Sequence, residues 1–230
     1  MHQDLLVPEN YIEPDDRLVI ESSGIVINEN ITPQMYLKYA IQDFEGQQGD
    51  RSNVNAFANA KRALHFQTDI ISKAFGIAYL PENQRDNFPK KISFCEKCGI
   101  VGSRILNKFN KIRNKIEHEY YLPQKDEVEN IIDIVELFLA STERFISMFP
   151  TVIHVDLVPK NDKNILIIHE IEFPVNKGII YLFPNIKEVD RSKIDFNNYI
   201  QWKRENPVHV KVTQGEQFYK WVNFLVSHTL

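Results

Sequence analysis

The chain has 230 residues, of which 43% are apolar and 11% aromatic, and its 27 Lys and Arg against 31 Asp and Glu give a formal net charge of −4. This composition can bury a core and excludes a mainly disordered or fibrous chain. The negative net charge excludes a chain-wide binder of polyanions, so any contact with nucleic acid must rest on a local basic patch.

Targeting and cofactor signals are sparse. No apolar run approaches the ~18 residues that a membrane-spanning helix needs, and residues 1–4 carry no sign of a secretory signal. Cys95 and Cys98 would supply half of a zinc knuckle, but zinc needs four ligands and no second pair is evident. Free thiols in a reducing compartment are the favoured interpretation. The sequence predicts a cytoplasmic protein with no membrane contact, no metal and no other cofactor.

Residues 1–31 are predicted to form an N-terminal arm. The β-rich runs 17–20 and 25–27 flank Ser and Gly residues, which indicates a hairpin or a loop–strand arrangement. From Thr32 the pattern becomes helical, because Thr32 can cap a helix that has Pro33 in its first turn. That helix is expected to stop at Gly46.

Three further amphipathic helices are predicted before residue 150. The first is capped by Ser52 or Asn53 and runs to Gly76, and a shorter segment follows near residue 92. The next covers residues 103–120. The last opens with capping-box spacing at residues 126–129 and is ended by Pro150. Four such helices with modest loops indicate a helical bundle over residues 32–150.

The period changes after residue 150. The runs 152–158, 165–173 and 178–183 are rich in β-branched and aromatic residues and are separated by turn residues, as in an antiparallel meander. A further strand at 208–212 and a terminal helix at 215–226 complete a small α+β domain over residues 151–230. The fold class predicted for the whole chain is therefore α+β.

The segment 103–123, SRILNKFNKIRNKIEHEYYLP, carries the most informative pattern. Asn114 and His118 are four residues apart and share one helix face, with Arg113 beside them. That face lies roughly opposite an apolar stripe that spans about 80° of arc and consists of Ile105, Phe109, Ile112, Ile116 and Tyr120. The polar group is thus predicted to face solvent or a partner chain.

Charge is concentrated on two of the predicted helices. Residues 103–118 hold five basic side chains and one acidic side chain, a net charge of +4, whereas residues 126–149 hold six acidic and one basic, a net charge of −5. One interpretation is that the helices are neighbours with complementary surfaces, each exposed pair contributing about 0–1 kcal/mol. The other is a local anion site in an otherwise acidic chain.

The residues Arg113-Asn114-Lys115-Ile116-Glu117-His118 resemble the motif of the HEPN superfamily: an arginine, a polar residue, three further residues and a histidine. In that family the motif lies near the start of a helix in a four- or five-helix bundle and is usually followed by a tyrosine, as here by Tyr120 and Tyr121. The runs 56–75 and 126–149 are similar to the long and the closing helices of such domains. The resemblance covers residues 32–149.

The resemblance implies a metal-independent endoribonuclease that acts as a homodimer, with both motifs in one composite cleft. His118 would take the proton of an RNA 2′-hydroxyl, Arg113 would hold the phosphate, and Asn114 would orient the histidine or donate to phosphate. Three more side chains are expected to contact the RNA: Lys111, Lys115 and Tyr121. Such enzymes include toxins and antiviral effectors, which are commonly held back by a nucleotidyltransferase-like antitoxin.

Two alternatives stay open at this point. The same groove can belong to a non-catalytic HEPN-like dimer that binds RNA, a nucleotide or a protein partner. The chain can also be a structural adaptor whose C-terminal module is the recognition element.

Overall fold

In the computed structural model of the chain, the described residues are 7–11, 18–46, 49–119, 121–158, 160, 168–184 and 210–228. They form six α-helices and one five-stranded sheet, which confirms the predicted α+β class. The chain divides into two compact units. The helical unit consists of Ser23–Phe149 and Val175–Lys177, and the sheet unit contains the remaining described residues. The three-part division drawn from the sequence stays a prediction.

Five helices build the helical unit: α1 (Pro33–Glu45), α2 (Asp50–Ala74), α3 (Phe88–Lys97), α4 (Ser103–His118) and α5 (Lys125–Ser147). The long helix α2 packs against α1, α3 and α5, and α4 packs against α3 and α5. Each helix therefore contributes one apolar face to a shared core.

The core of the helical unit is aliphatic and aromatic, and its members recur at helical spacing along their elements. Full burial of a side chain of this size contributes roughly 1.5–3 kcal/mol before the loss of conformational entropy is subtracted. Fully buried members from four of the helices are Ala40, Ala56, Ala60, Ala63, Leu64, Phe109, Val128, Ile131 and Val135. The predicted apolar stripes are thus the faces that pack.

The first helix begins as predicted, and the second does not. The hydroxyl of Thr32 accepts a hydrogen bond from the amide of Met35 at 3.2 Å, which satisfies a donor that the first turn would otherwise leave open. Helix α2 begins at Asp50 after Gly49, so the prediction of Ser52 or Asn53 as its cap was wrong. Since Ser52 is itself a buried helical residue, it cannot take the extended conformation of a cap.

Helix α5 has the predicted type of start at a different position. Its capping box joins Gln124 and Glu127, with each side chain bonded to the other residue's amide, instead of lying within residues 126–129. At its other end the helix stops at Ser147, and Pro150 belongs to the following strand. The strand pairing explains this early end, because the chain is already extended when it reaches the proline.

The sheet unit is an antiparallel meander with one helix. Its strands follow in the order β1 (Val19–Ser23), β2 (Phe149–Leu157), β3 (Ile168–Glu172), β4 (Ile179–Pro184) and β5 (Val210–Thr213). The register places Ile153 opposite Ile171 and Ile180 opposite Val212, so apolar residues line one face. Helix α6 (Glu216–His228) supplies further buried side chains: Phe218, Trp221, Val222, Leu225 and Val226.

The N-terminal arm differs from the predicted hairpin. One of the two expected strands forms, and as β1 it lies next to β2 in the sheet. Residues 25–27 are not a strand; instead the amide of Ile25 donates to the carbonyl of Ile146 at 2.7 Å. A sheet edge supplies a complete row of backbone partners, which a two-stranded hairpin alone does not. None of the helices in the described part of the chain has the length and apolarity required to cross a membrane.

Candidate functional site

Helix α4 carries the predicted site residues and presents two distinct faces. Phe109 and Leu106 are buried, and Ile112 and Ile116 are partly buried against the core. Leu106 was absent from the predicted stripe, although its position borders it. The side chain of Ile105 and all of Tyr120 lie outside the described residues. The described part of the stripe therefore faces the core, as the spacing predicted.

The motif residues follow on the other side of this helix. Asn114 is exposed and Arg113 is half-buried, with the guanidinium Nη1 at 3.4 Å from the amide oxygen of Asn114. This long hydrogen bond holds the two polar groups next to each other. His118 is the last residue of α4, and its side chain lies outside the described set.

Lys111 extends this polar face by one turn. Its side chain is exposed. Helix positions 111, 114 and 118 are spaced three, four and seven residues apart, which places all three on one side of α4. A cation, an amide and the helix position of the motif histidine are thus aligned along the helix axis.

Lys115 and Tyr121, both predicted to contact substrate, lie in a cluster with Glu127 that sequence reasoning did not identify. The Lys115 ammonium is 3.4 Å from Oε1 of Glu127 and 3.4 Å from the centre of the Tyr121 ring. Tyr121 also hydrogen bonds to both of these charged groups. The cluster joins the last turns of α4 to the first turn of α5. We refer to these three residues as the α4–α5 clamp.

The charges of the clamp reinforce each other. Burial lowers the pKa of Lys115, but its hydrogen bond with Tyr121 and the charge of Glu127 outweigh that effect and raise the pKa above its usual value. Burial raises the pKa of Glu127, but the Gln124 amide, Tyr121 and Lys115 together lower it below its usual value. Both groups are therefore charged at neutral pH.

The loop between α4 and α5 is fixed at further points. The side-chain amide of Asn53 donates to the carbonyl of Pro123 at 3.2 Å, which ties the loop to α2. The Gln124 amide donates to Oε2 of Glu127 at 3.0 Å. Pro123 is buried. The segment that follows the motif is thus held by α2 and α5 together.

The two cysteines occupy the end of α3 and are free and buried. Burial raises the pKa of Cys95 to about 12 and raises that of Cys98 well above its usual value. Both thiols are accordingly protonated at neutral pH, which disfavours metal binding and nucleophilic reactions because these require the thiolate. Across the described ranges, no three His, Cys, Asp or Glu side chains come together in a way that could hold a metal ion.

The sheet unit contains a separate charged group. Nε2 of His154 lies 2.9 Å from a carboxylate oxygen of Glu21 on the edge strand, and Nδ1 lies 3.7 Å from Glu170 on the neighbouring strand β3. Glu170 is only 5% exposed. The alternation of polar and apolar residues had indicated an outward His154, but the pairing with Glu21 depends on β1 joining the sheet.

Comparison with known protein families, with characterised proteins and with solved structures found no significant match. The functional argument therefore rests on the residues of α4 and their surroundings.

Proposed function

We propose that the chain is a metal-independent endoribonuclease of HEPN type that acts on RNA as a homodimer. One observation carries the proposal: Lys111 and Asn114 are exposed on the side of α4 opposite Phe109, which is fully buried. The motif positions are thus not consumed by core packing. They are available to a substrate or to a second copy of the chain.

The proposed chemistry uses residue types suited to cleavage of a phosphodiester next to a 2′-hydroxyl. His118 removes the proton of the hydroxyl, since an imidazole changes protonation state near neutral pH. The oxygen then bonds to phosphorus, and the bond to the 5′-oxygen breaks, which leaves a cyclic phosphate and a free 5′-hydroxyl. Arg113 offsets the charge that develops on the phosphate oxygens. Asn114, beside Arg113, completes the polar surface toward the phosphate.

The charges of α4 support an anionic substrate. Lys111 is exposed and therefore available to a phosphate, and Arg113 stands two residues further along the helix. Negative phosphates would meet this basic face and be repelled by the acidic surface of α5. The local field thus favours RNA binding along α4 even though the whole chain is acidic.

The decisive experiment is cleavage of single-stranded RNA by the purified protein in the presence of EDTA. We expect wild type to cut, and His118→Ala to lower the rate by about 100-fold or more, because a positioned general base contributes 10²–10⁴-fold. Arg113→Lys should also cut slowly, since lysine keeps the charge but loses bidentate binding. Circular dichroism must show that the variants remain folded.

The matched control is Arg51→Ala, which removes one exposed arginine from the start of α2. We expect this variant to retain wild-type cleavage. If wild type and His118→Ala are equally inert while both bind RNA, the site belongs to a non-catalytic binding protein and the enzyme proposal is wrong.

A further inference from the structure

Glu127 has contacts with several parts of the motif region. One carboxylate oxygen pairs with Lys115 on α4 and the other accepts the amide of Gln124 at the start of α5. The carboxylate also hydrogen bonds to Tyr121 in the connecting loop. It is half-buried, with 24% of its side chain exposed, so these bonds are partly shielded from solvent. Glu127 thus connects helix, loop and helix.

The pairing with Lys115 bears on the end of α4. The carbonyl of Lys115 accepts a hydrogen bond from the amide of Glu119 at 3.2 Å, which closes the helix's final turn. Position 118 lies within that turn. Because the Lys115 side chain is held by Glu127 and Tyr121, the turn cannot fray without breaking contacts on both sides of the loop.

The same pairing changes the expected role of Lys115. Its ammonium already has a carboxylate, a phenol and an aromatic ring face as partners. An RNA phosphate could take Lys115 only by separating it from Glu127, and that exchange would leave the half-buried carboxylate without its cation. Lys111, which is exposed, binds a phosphate at no such cost.

We propose that Glu127 is a positioning residue of the site, which fixes the last turn of α4 through Lys115 and Tyr121 and withholds Lys115 from direct contact with phosphate. The inference rests on the proposed ribonuclease function for its kinetic consequence. Its structural consequence, an ordered end of α4, is measurable without any activity.

The kinetic test compares Glu127→Ala with Glu127→Gln and with the control Glu129→Ala, which removes an exposed carboxylate two residues further along α5. We expect Glu127→Ala to lower kcat by about 10- to 100-fold with KM changed less than about twofold, because a small displacement of a catalytic group has an effect of this size. Glutamine can keep the capping box and the bond to Tyr121, so it should restore most of kcat. Equal kcat values for Glu127→Ala and Glu129→Ala would overturn the inference.

The binding test compares the salt dependence of RNA affinity in Lys111→Ala and Lys115→Ala, measured on a His118→Ala background to prevent cleavage. Each lost phosphate contact reduces the slope of log K against log salt by about 0.7 for single strands. We expect that reduction for Lys111→Ala and an unchanged slope for Lys115→Ala. A reduced slope for Lys115→Ala would show that this lysine contacts phosphate and would contradict the proposal.

The third test is hydrogen exchange of the amides at positions 116–119. In Glu127→Ala these amides should exchange at least about tenfold faster than in Glu129→Ala, because the last turn opens more often. If wild type proves unable to cut RNA, the proposed function fails while this measurement still decides whether Glu127 orders the turn. Equal exchange in the two variants would reject the positioning role whatever the activity.

Discussion

At the scale of single residues, one buried polar pair links two helices of the core. The side-chain amide of Gln67 on α2 donates to the hydroxyl of Thr142 on α5 at 3.1 Å, and that hydroxyl donates to the carbonyl of Phe138 at 2.6 Å. Both side chains are fully buried. A buried amide donor that loses its acceptor costs about 1–3 kcal/mol, so the two residues depend on each other.

We therefore expect Thr142→Val to lower the free energy of unfolding by about 1–3 kcal/mol, because valine has the same shape but leaves Gln67 without its acceptor. Denaturation in urea measures the difference. Ser141→Ala is the control: it also removes a hydroxyl bonded to the Phe138 carbonyl, but from an exposed residue. Its effect should stay within about 0.5 kcal/mol. Equal effects for both variants would show that the amide has another acceptor.

The cysteines allow a second prediction at this scale. Because Cys95 and Cys98 are buried and their pKa values are raised, with that of Cys95 at about 12, the folded protein should react slowly with dithionitrobenzoate at about pH 8. In guanidinium chloride both thiols should react at once. The absorbance of the released thiolate follows the reaction. Rapid modification of the folded protein would mean that the end of α3 opens readily.

At the scale of elements, the starts of helices were the least predictable feature. Ser52 and Asn53 have the right composition for a cap, yet α2 begins three residues earlier, after Gly49. The conformation of Gly49, with φ 69° and ψ −148°, is open to glycine and strained for other residues. The chain reverses there between α1 and α2, and this tertiary requirement outweighs the local preference for a serine or asparagine cap.

Gly49→Ala should consequently reduce the free energy of unfolding by about 1–3 kcal/mol through backbone strain alone, since nothing lies within 4 Å of the added Cβ. Gly102→Ala is a matched control. Gly102 also precedes a helix and also has open space around its Cβ, but its φ of −85° and ψ of 133° suit any residue. We expect that variant to differ from wild type by less than about 0.5 kcal/mol in urea denaturation. A similar loss in both variants would locate the cost in capping instead of strain.

Helix α4 illustrates how far periodicity reaches. Its spacing alone distinguished the side that carries Phe109 from the side that carries Asn114, because both follow from 3.6 residues per turn. The clamp could not be derived in this way. Lys115 and Glu127 are twelve residues apart and meet only because the loop between them turns α5 back alongside α4. The capping-box spacing of Gln124 and Glu127 was a usable local signal for the acidic partner.

At the scale of the whole molecule, the proposed composite cleft requires two copies of the chain. We expect sedimentation at micromolar concentration to give twice the 27.0 kDa of one chain. Equimolar mixing of His118→Ala with Arg113→Ala should then restore part of the cleavage if each copy lends one residue to a shared site. A monomer with full activity would contradict the composite cleft and leave each chain with a complete site of its own.

The sequence by itself determined the α+β class, the period of the helices and strands, and the opposite faces of α4. All of these follow from the spacing of apolar residues within one element. The tertiary structure alone decided that β1 joins the sheet beside β2, that Glu21 meets His154, and that Glu127 takes Lys115. Such pairings depend on loop paths and on which surfaces are left to be covered. The net charge of −4 therefore concealed both a basic helix and the carboxylate that holds one of its lysines.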